Sequence, residues 1–119
     1  MRQISSRAVP SLLREGAALV DVRRPEEWQQ TGIVAGSILL TFYDAQGGSR
    51  PQQWLTELDR RVPCEQPLLL ICRSGYRTGL VGEFLLENSA RALVYNVADG
   101  IYGWLAAGLP VATYPDSGG

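Results

Sequence analysis

The sequence predicts a single α/β domain whose central parallel sheet has five strands, with helices on both faces. Short apolar runs alternate along the chain with segments whose apolar residues recur at helical spacing, which is typical of βαβ units. The run at residues 68–72 is apolar throughout, as expected of a central parallel strand buried on both faces. The chain has 119 residues, enough to bury one core. We place the domain at residues 1–113 and a flexible C-terminal tail at residues 114–119.

The first third of the chain contains two predicted strands and two predicted helices. A short strand at residues 4–5 is followed by a helix at residues 6–15, whose apolar residues share one face and which ends at Gly16. Residues 18–22 are mostly aliphatic and form the second strand. A helix then opens at residues 24–28, where a proline in the first turn and two following acids suit a helix amino terminus.

The middle of the chain holds a third strand, a loop and a helix. Residues 37–40 form the third strand, because three of them are aliphatic and a glycine-bounded loop precedes them. Residues 45–51 are rich in glycine and polar residues and are predicted as the loosest internal segment. Residues 52–61 form a helix that turns Trp54 and Leu58 to one face, since positions four apart lie on the same side.

The last third of the chain continues the alternation of strands and helices. The buried strand at residues 68–72 leads through a polar loop into a helix at residues 78–88, whose apolar residues fall at i, i+1, i+4 and i+5. Residues 92–95 form the fifth strand. Residues 101–107 form a short helix, which ends at a following glycine and proline.

Charge and hydropathy limit the partners of this domain. The net charge of −1 and the pI of about 5.4 leave no basic excess for a phosphate backbone, so no nucleic acid partner is expected. No apolar run approaches the ~20 residues that cross a bilayer, so no membrane contact is expected. The first residues carry no signal-peptide core. The expected location is therefore the cytoplasm, with the periplasm left open if a signal peptide has been removed.

The basic residues are unusual, because the chain has no histidine and all eleven basic residues are arginines. No histidine can therefore act as a general base or bind a metal ion, and no lysine can form a Schiff base. This excludes serine and papain-like proteases, histidine-ligated zinc sites and pyridoxal phosphate chemistry together. We expect neither a metal site nor a cofactor. The remaining chemistry belongs to cysteine, carboxylates, hydroxyls, arginine and the backbone.

The two cysteines, Cys64 and Cys72, are predicted to be free thiols. The intervening strand separates them, because four extended residues at about 3.3 Å each exceed the ~4.4–6.8 Å between the Cα atoms of a disulfide. Free thiols suit a reducing compartment. Cys64 follows a proline in a polar turn and is interpreted as an incidental surface cysteine.

Cys72 is the strongest candidate for chemistry. It lies where the buried strand ends and before the next helix begins, so it faces the free N–H groups and positive dipole of a helix amino terminus. Gly75 allows the loop to turn these groups towards the sulfur, and Thr78 is predicted to cap the helix through its hydroxyl. This environment favours a thiolate without a general base. The residues assigned to substrate binding are Arg73, Ser74, Gly75, Tyr76, Arg77 and Thr78.

The segment C-R-S-G-Y-R-T at residues 72–78 resembles the active-site loop of the rhodanese-like domains, commonly C-R-S-G-x-R-S. Three further segments resemble this family in the expected order. Residues 19–28 are similar to its D-V-R and E-[YWF] segment, residues 32–38 to its G-H-I-P-G-A-I, and residues 100–111 to its G-G, W and G-x-P-V ending. The resemblance covers residues 4–111 and implies the rhodanese fold for the predicted domain.

The chain departs from the family pattern at three positions outside the cysteine loop. Ile33 stands where the family usually has histidine, Ala35 where it has proline, and Asp99 where it has the first glycine of a pair. These departures bear on loop geometry and partner specificity more than on the cysteine. Tyr76 occupies the variable position of the loop, where lining the pocket mouth, contacting a partner and facing solvent all remain open.

The resemblance implies that the domain transfers sulfur. Cys72 would attack the outer sulfur of thiosulfate or another sulfane-sulfur donor, keep it as a persulfide, and pass it to cyanide, a thiol or a protein acceptor. The loop would hold the anionic persulfide and the anionic donor together. Asp21 and Arg23 are assigned a supporting role in a buried polar network behind the loop, with a solvated charge pair at a strand end as the alternative.

Two other functions are weighed against sulfur transfer. The related cysteine phosphatases and arsenate reductases use C-x5-R, with an arginine six positions after the cysteine to bind three anion oxygens. Thr78 holds that position here and Arg77 comes one residue earlier, which makes a tighter ring and favours sulfur as the cargo. The second alternative is a non-catalytic persulfide relay or interaction module with a dedicated protein partner. The oligomeric state is left open.

Overall fold

The computed structural model describes residues 1–114, so residues 115–119, most of the predicted tail, lie outside the described residues. Within this range the strands are β1 Arg2–Ile4, β2 Ala18–Asp21, β3 Ile38–Leu39, β4 Leu68–Ile71 and β5 Val94–Val97. The α-helices are α1 Val9–Arg14, α2 Pro25–Thr31, α3 Pro51–Arg61, α4 Tyr76–Asn88 and α5 Gly100–Ala106. A 3₁₀ turn at Ser6–Ala8 leads into α1.

The five strands form one parallel sheet in the order β1-β5-β4-β2-β3, which confirms the predicted α/β architecture. β4 lies at the centre and pairs with β2 on one side and β5 on the other. Because the strands all run the same way, their carboxyl ends share one edge of the sheet. Ligands bind beyond this edge in open parallel sheets.

The central strand divides the core into two layers, because its side chains alternate between the faces of the sheet. Leu68 and Leu70 belong to the layer beneath α3 and α4, and Leu69 and Ile71 belong to the layer beneath α1 and α5. All four are fully buried, and burial of each such side chain contributes about 1.5–3 kcal/mol. Cys72 continues the alternation and packs in the first layer. Helices therefore cover both faces, as predicted.

The bounds of two strands and one helix differ most from the predicted ones. β1 is predicted at residues 4–5 and lies at Arg2–Ile4, and β5 is predicted at residues 92–95 and lies at Val94–Val97. The two strands pair from Arg2 with Tyr95 to Ile4 with Val97, and this pairing sets their bounds. The predicted helix at residues 6–15 is divided into the 3₁₀ turn and α1. Pro10 lies in the first turn of α1, where a helix needs no backbone N–H from it.

The chain after α5 returns to α2. Ile33 and Ala112 exchange backbone hydrogen bonds of 2.9 and 2.7 Å. The ring of Tyr114 meets that of Trp28 edge-on with 5.2 Å between their centroids, so the first residue of the predicted tail packs on the domain. Among residues 1–114, no helix is long and apolar enough to cross a membrane.

Candidate active site

Cys72 follows the last residue of β4 directly and lies at the carboxyl edge of the sheet. The residue is fully buried, and its Sγ accepts a hydrogen bond of 3.1 Å from the backbone N–H of Gly75. Both cysteines are free thiols, Cys72 buried and Cys64 exposed. The sequence therefore placed the sulfur correctly between β4 and α4.

Gly75 shapes the loop between Cys72 and α4. Its φ of 92° lies in the left-handed region that L side chains rarely adopt. A Cβ atom at this position would also overlap the backbone carbonyl of Ala98, which follows β5. Only glycine thus lets the loop lie against this segment while its N–H points at the sulfur.

The amino end of α5 holds the loop from the other side. The N–H groups of Ile101 and Tyr102 donate to the carbonyl oxygens of Cys72 at 2.8 Å and Arg73 at 3.2 Å. These carbonyls are turned towards α5, away from the first turn of α4. The loop therefore binds the sulfur through the Gly75 N–H, while the carbonyls of Cys72 and Arg73 are bound by α5.

The start of α4 corrects the predicted role of Thr78. The helix begins at Tyr76 rather than at Thr78, its N-cap is Gly75, and no side chain caps it. Thr78 instead lies buried beneath the sulfur, with its Oγ1 3.4 Å from the Cys72 Sγ. The prediction failed because the left-handed Gly75 starts the helix two residues earlier than the apolar pattern does.

Asn96 is a buried neighbour of the site that the sequence analysis missed. It lies in β5, and its Oδ1 accepts a hydrogen bond from the Thr78 hydroxyl. Its Nδ2 donates to the Gly75 carbonyl at 3.1 Å and to Gln3 Oε1 at 2.8 Å. A polar residue inside an otherwise apolar strand was the available signal, since such groups are buried only with partners.

Arg77 is held by a carboxylate that the sequence analysis did not connect with the loop. Its two terminal nitrogens bind the two carboxylate oxygens of Glu27 at 2.6 and 2.8 Å. Burial pushes the pKa of Glu27 up, but the hydrogen bonds and charge of Arg77 outweigh it and lower that pKa. The same hydrogen bond with Glu27 raises the pKa of Arg77. The pair therefore ties the first turn of α4 to the first turn of α2.

Arg73, Ser74 and Tyr76 are the exposed members of the loop, and Tyr76 has 74% of its surface accessible. Arg73 and Tyr76 line a cavity of about 530 Å³ beside the loop. Both charge signs line it, together with Tyr43 and Leu80. Burial, followed by the nearby Tyr76, raises the pKa of Tyr43. The cavity therefore has an aromatic rim and mixed charge.

Asp21 and Arg23 form a buried ion pair of 2.9 Å, so they are not a solvated charge pair. The Arg23 guanidinium also donates to Thr31 Oγ1 at 2.8 Å and to the carbonyl of Gly32 at 3.1 Å. These bonds fasten the end of α2 to β2. The pair thus belongs to a buried polar network that holds the end of α2.

Of the three departures from the family pattern, Asp99 has a side-chain role in the structure. The carboxylate of Asp99 accepts hydrogen bonds of 2.8 Å from both the N–H and the hydroxyl of Ser6, and so ties the 3₁₀ turn to the start of α5. Ile33 bridges to Ala112 through its backbone. Ala35 is exposed in the loop before β3. Within residues 1–114, no group of three or more cysteine or acidic residues could hold a metal ion.

Comparison with known proteins agrees with this geometry. The family model described as the rhodanese-like domain matches residues 7–107. The uncharacterized protein RP600 of Rickettsia prowazekii (strain Madrid E) is 30% identical over 95 residues, which are 77% of this chain and 75% of that protein. A second relative, the RP600 homolog of Rickettsia rickettsii, is 31% identical over 103 residues, which are 83% of this chain and 81% of that protein.

Solved structures give the same result. The polysulfide-sulfur transferase homodimer of Wolinella succinogenes is similar with a TM-score of 0.72 and 25% identity, over 100% of this chain and 83% of that chain. The thiosulfate sulfurtransferase of Pseudomonas aeruginosa shares the fold with a TM-score of 0.74 and 22% identity, over 95% of this chain and 20% of that one. With the family model covering nearly all of the described residues, the chain belongs to the rhodanese-like domain family.

Proposed function

We propose that this chain is a sulfurtransferase that carries sulfane sulfur as a persulfide on Cys72. One observation carries the proposal: the Cys72 Sγ accepts the Gly75 N–H at the amino end of α4. The first-turn N–H groups of a helix have no partners within the helix and favour negative charge. A thiolate and a persulfide are both anions, and this position suits both.

The transfer of sulfur needs only the Cys72 thiolate, the donor and the acceptor. The Cys72 thiolate attacks the outer sulfur of thiosulfate, the S–S bond of the donor breaks, and sulfite leaves with the bonding pair. The cysteine is then a persulfide anion. Attack by cyanide on its outer sulfur yields thiocyanate, and attack by a thiolate yields an acceptor persulfide. Either attack breaks the S–S bond of the persulfide and restores the Cys72 thiolate.

The loop arginines take different roles in this proposal. Arg73 is exposed at the cavity rim, where its charge suits an anionic donor. Arg77 acts through the backbone, because its ion pair with Glu27 fixes the first turn of α4. Asp21 and Arg23 support the same arrangement by fastening α2, the helix that carries Glu27.

The donor is a slender sulfane-sulfur compound such as thiosulfate or a polysulfide. Burial of Cys72 favours a donor that presents a terminal sulfur. The similar Wolinella succinogenes protein is a polysulfide-sulfur transferase, which supports this class of donor. Free thiols on both cysteines fit a reducing compartment.

The acceptor is a thiol or a protein thiol that meets the exposed rim. Tyr76 and Leu80 present apolar surface beside the cavity, with 74% and 43% of their surfaces accessible. If transfer to cyanide and small thiols is slow while the persulfide forms readily, the chain is a persulfide relay for a dedicated protein.

A phosphatase or arsenate reductase is the less favoured alternative. Those enzymes need a guanidinium free to bind three oxygens of the anion. In this chain Thr78 holds the corresponding position, and the guanidinium of Arg77 is bound by Glu27. Turnover of an aryl phosphate that depends on Cys72 would support this alternative against ours.

Intact mass measurement tests the proposal. The protein is incubated with thiosulfate, freed of the donor and weighed, alongside Cys72→Ala and Cys64→Ser as a matched pair. We expect the mass of one added sulfur on the wild type and on Cys64→Ser, its loss on addition of cyanide, and none on Cys72→Ala. No added sulfur with either thiosulfate or polysulfide, or equal addition to Cys72→Ala, would exclude the proposal.

A further inference from the structure

A buried polar cluster lies directly beneath the sulfur and has no assigned part in sulfur transfer. Its members are Thr78 on α4, Asn96 on β5 and Gln3 on β1. Thr78 Oγ1 lies 3.4 Å from the Cys72 Sγ, and only 4% of the Asn96 surface is accessible. The protons of this cluster can be placed by counting donors and acceptors.

The orientation of the Asn96 amide is fixed by its neighbours. One side of the amide faces the carbonyl oxygen of Gly75 at 3.1 Å, and a carbonyl oxygen can only accept. The amide nitrogen must therefore occupy that side, where its second proton reaches Gln3 Oε1 at 2.8 Å. The amide oxygen consequently faces the Thr78 hydroxyl.

The single hydroxyl proton of Thr78 then has one place to go. The Gly75 carbonyl lies 3.3 Å from the Thr78 hydroxyl, but it already accepts from the Gly79 N–H and from Asn96, each at 3.1 Å, which occupy its two lone pairs. The Asn96 oxygen is the nearest acceptor and receives the proton. Thr78 is left with lone pairs facing the Cys72 sulfur, an arrangement that suits a neutral thiol donating its own proton.

A thiolate or a persulfide needs the opposite arrangement. When the thiol proton leaves to solvent, the sulfur becomes an acceptor, and the Thr78 hydroxyl must rotate its proton away from Asn96 to donate to it. The buried Asn96 oxygen then loses its donor, which opposes the change. We propose that Asn96 is a positioning residue that competes with the Cys72 sulfur for the Thr78 proton, so that this one contact opposes the anion that the amino end of α4 favours.

This inference deepens the proposed function, since it concerns the same sulfur. Two groups act electrostatically with that sulfur, Tyr43 after β3 and Arg77 in the first turn of α4. The other charged or titratable groups near the loop are Arg73, Tyr76 at the start of α4, Asp99 before α5, and Glu27 and Asp21, which act on Arg77. None of them is altered in the variants below, so a difference between variants reports the Asn96 contact.

Alkylation of Cys72 by iodoacetamide, followed by intact mass between about pH 5 and 10, tests the inference. Every variant carries Cys64→Ser, because Cys64 is exposed and would also react. In Asn96→Val the Thr78 proton is free for the sulfur. The rate midpoint should therefore move to lower pH, and alkylation below the midpoint should be about three- to tenfold faster. Asn96→Ala removes the same acceptor and should shift the profile in the same direction.

Thr78 supplies the matched control. In a Thr78→Val background, the Asn96→Val change should leave the pH profile unchanged. In a Thr78→Ser background, which keeps the hydroxyl, the Asn96→Val change should shift the profile as it does beside Thr78. An unchanged profile in Asn96→Val, or the same shift with and without the Thr78 hydroxyl, would overturn the inference. If circular dichroism shows that Asn96→Val is unfolded, Asn96→Ala decides, and alkylation no faster than in the parent contradicts the inference. Iodoacetamide requires no sulfur donor, so this result is independent of the sulfur-transfer proposal.

Discussion

The two ends of strand β4 each carry a cysteine and a polar cluster of opposite character. At the amino end, the buried guanidinium of Arg91 binds the carbonyl oxygens of Val62 at 2.6 Å and Pro63 at 3.2 Å, just after α3 ends. At the carboxyl end, an N–H group binds the sulfur of Cys72 just before α4 begins. One end places backbone acceptors around a cation, and the other places a backbone donor at a sulfur.

This difference follows from the direction of the chain. Helices that follow parallel strands begin at the carboxyl edge of the sheet and end at the amino edge, so free N–H groups gather at one edge and free carbonyls at the other. Cys64 is exposed at the other edge, between the end of α3 and the start of β4. The position of a cysteine along β4, more than its exposure, is what we expect to decide its chemistry.

The largest expected effect is the loss of unfolding free energy when a buried arginine is removed, and we compare this loss at the two edges of the sheet. Arg23→Leu leaves the carboxylate of Asp21 buried without its partner, and we expect it to lower the free energy of unfolding by about 3–5 kcal/mol. Arg91→Leu should cost less, about 1–3 kcal/mol, because its partner Asp59 is 55% exposed and regains water. Urea unfolding measures both. An equal or larger loss in Arg91→Leu would contradict this assignment.

The second prediction compares glycines with positive φ at the two ends. Gly75→Ala forces a Cβ against Ala98 and displaces the loop, so the sulfur-transfer rate should fall about a hundredfold or more. Gly16 has a φ of 103° but open space around it. Gly16→Ala should therefore cost only about 1–2 kcal/mol of stability and leave transfer unchanged. Similar transfer rates in the two variants would show that the loop geometry is not required.

The smallest expected effect concerns the ion pair of Glu27 and Arg77. Because the folded pKa of Glu27 is lowered, the stability from this pair is fully present above the ordinary value of 4.5 and is lost as the pH falls through the lower folded pKa. Glu27→Gln should thus lower the free energy of unfolding by about 0.5–1 kcal/mol at pH 7, and the deficit should vanish in acid.

A surface ion pair provides the control for this third prediction. Glu57 pairs with Arg60 and Arg61 on the exposed side of α3. Glu57→Gln should change the unfolding free energy by less than about 0.5 kcal/mol at pH 7. We predict that the loss of unfolding free energy in Glu27→Gln disappears below the folded pKa of Glu27 and exceeds the loss in Glu57→Gln. If either fails, Glu27 does not stabilise the loop through Arg77.

The sequence predicted the parts of the site that are contiguous in the chain. The buried run of β4, the cysteine after it and the glycine that turns the loop occupy a single stretch, so local patterns suffice for them. Asn96 and Glu27 come from β5 and α2, which lie 18 and 50 residues from their partners in the loop. No local pattern indicates contacts of that length, which depend on the strand order.

The strand order itself illustrates this limit. Alternation of strands and helices predicts a parallel sheet, yet it does not say that β4 lies between β5 and β2. The same limit explains the error at Thr78. Apolar periodicity marks where a helix packs, whereas the start of α4 is set by the left-handed backbone of Gly75. The hydroxyl could therefore be assigned its contacts only once β5 was in place.

The most direct test of the account uses both cysteines of one molecule. The protein is given less than one equivalent of thiosulfate, alkylated and cleaved after glutamate, because Glu65 separates the two cysteines, and the added sulfur is mapped to the peptides that contain Cys64 and Cys72. We predict sulfur on the Cys72 peptide and none above background on the Cys64 peptide, although Cys64 is the exposed thiol. Sulfur on Cys64, or an equal share on the two peptides, would contradict the claim that the carboxyl end of β4 makes the sulfur carrier.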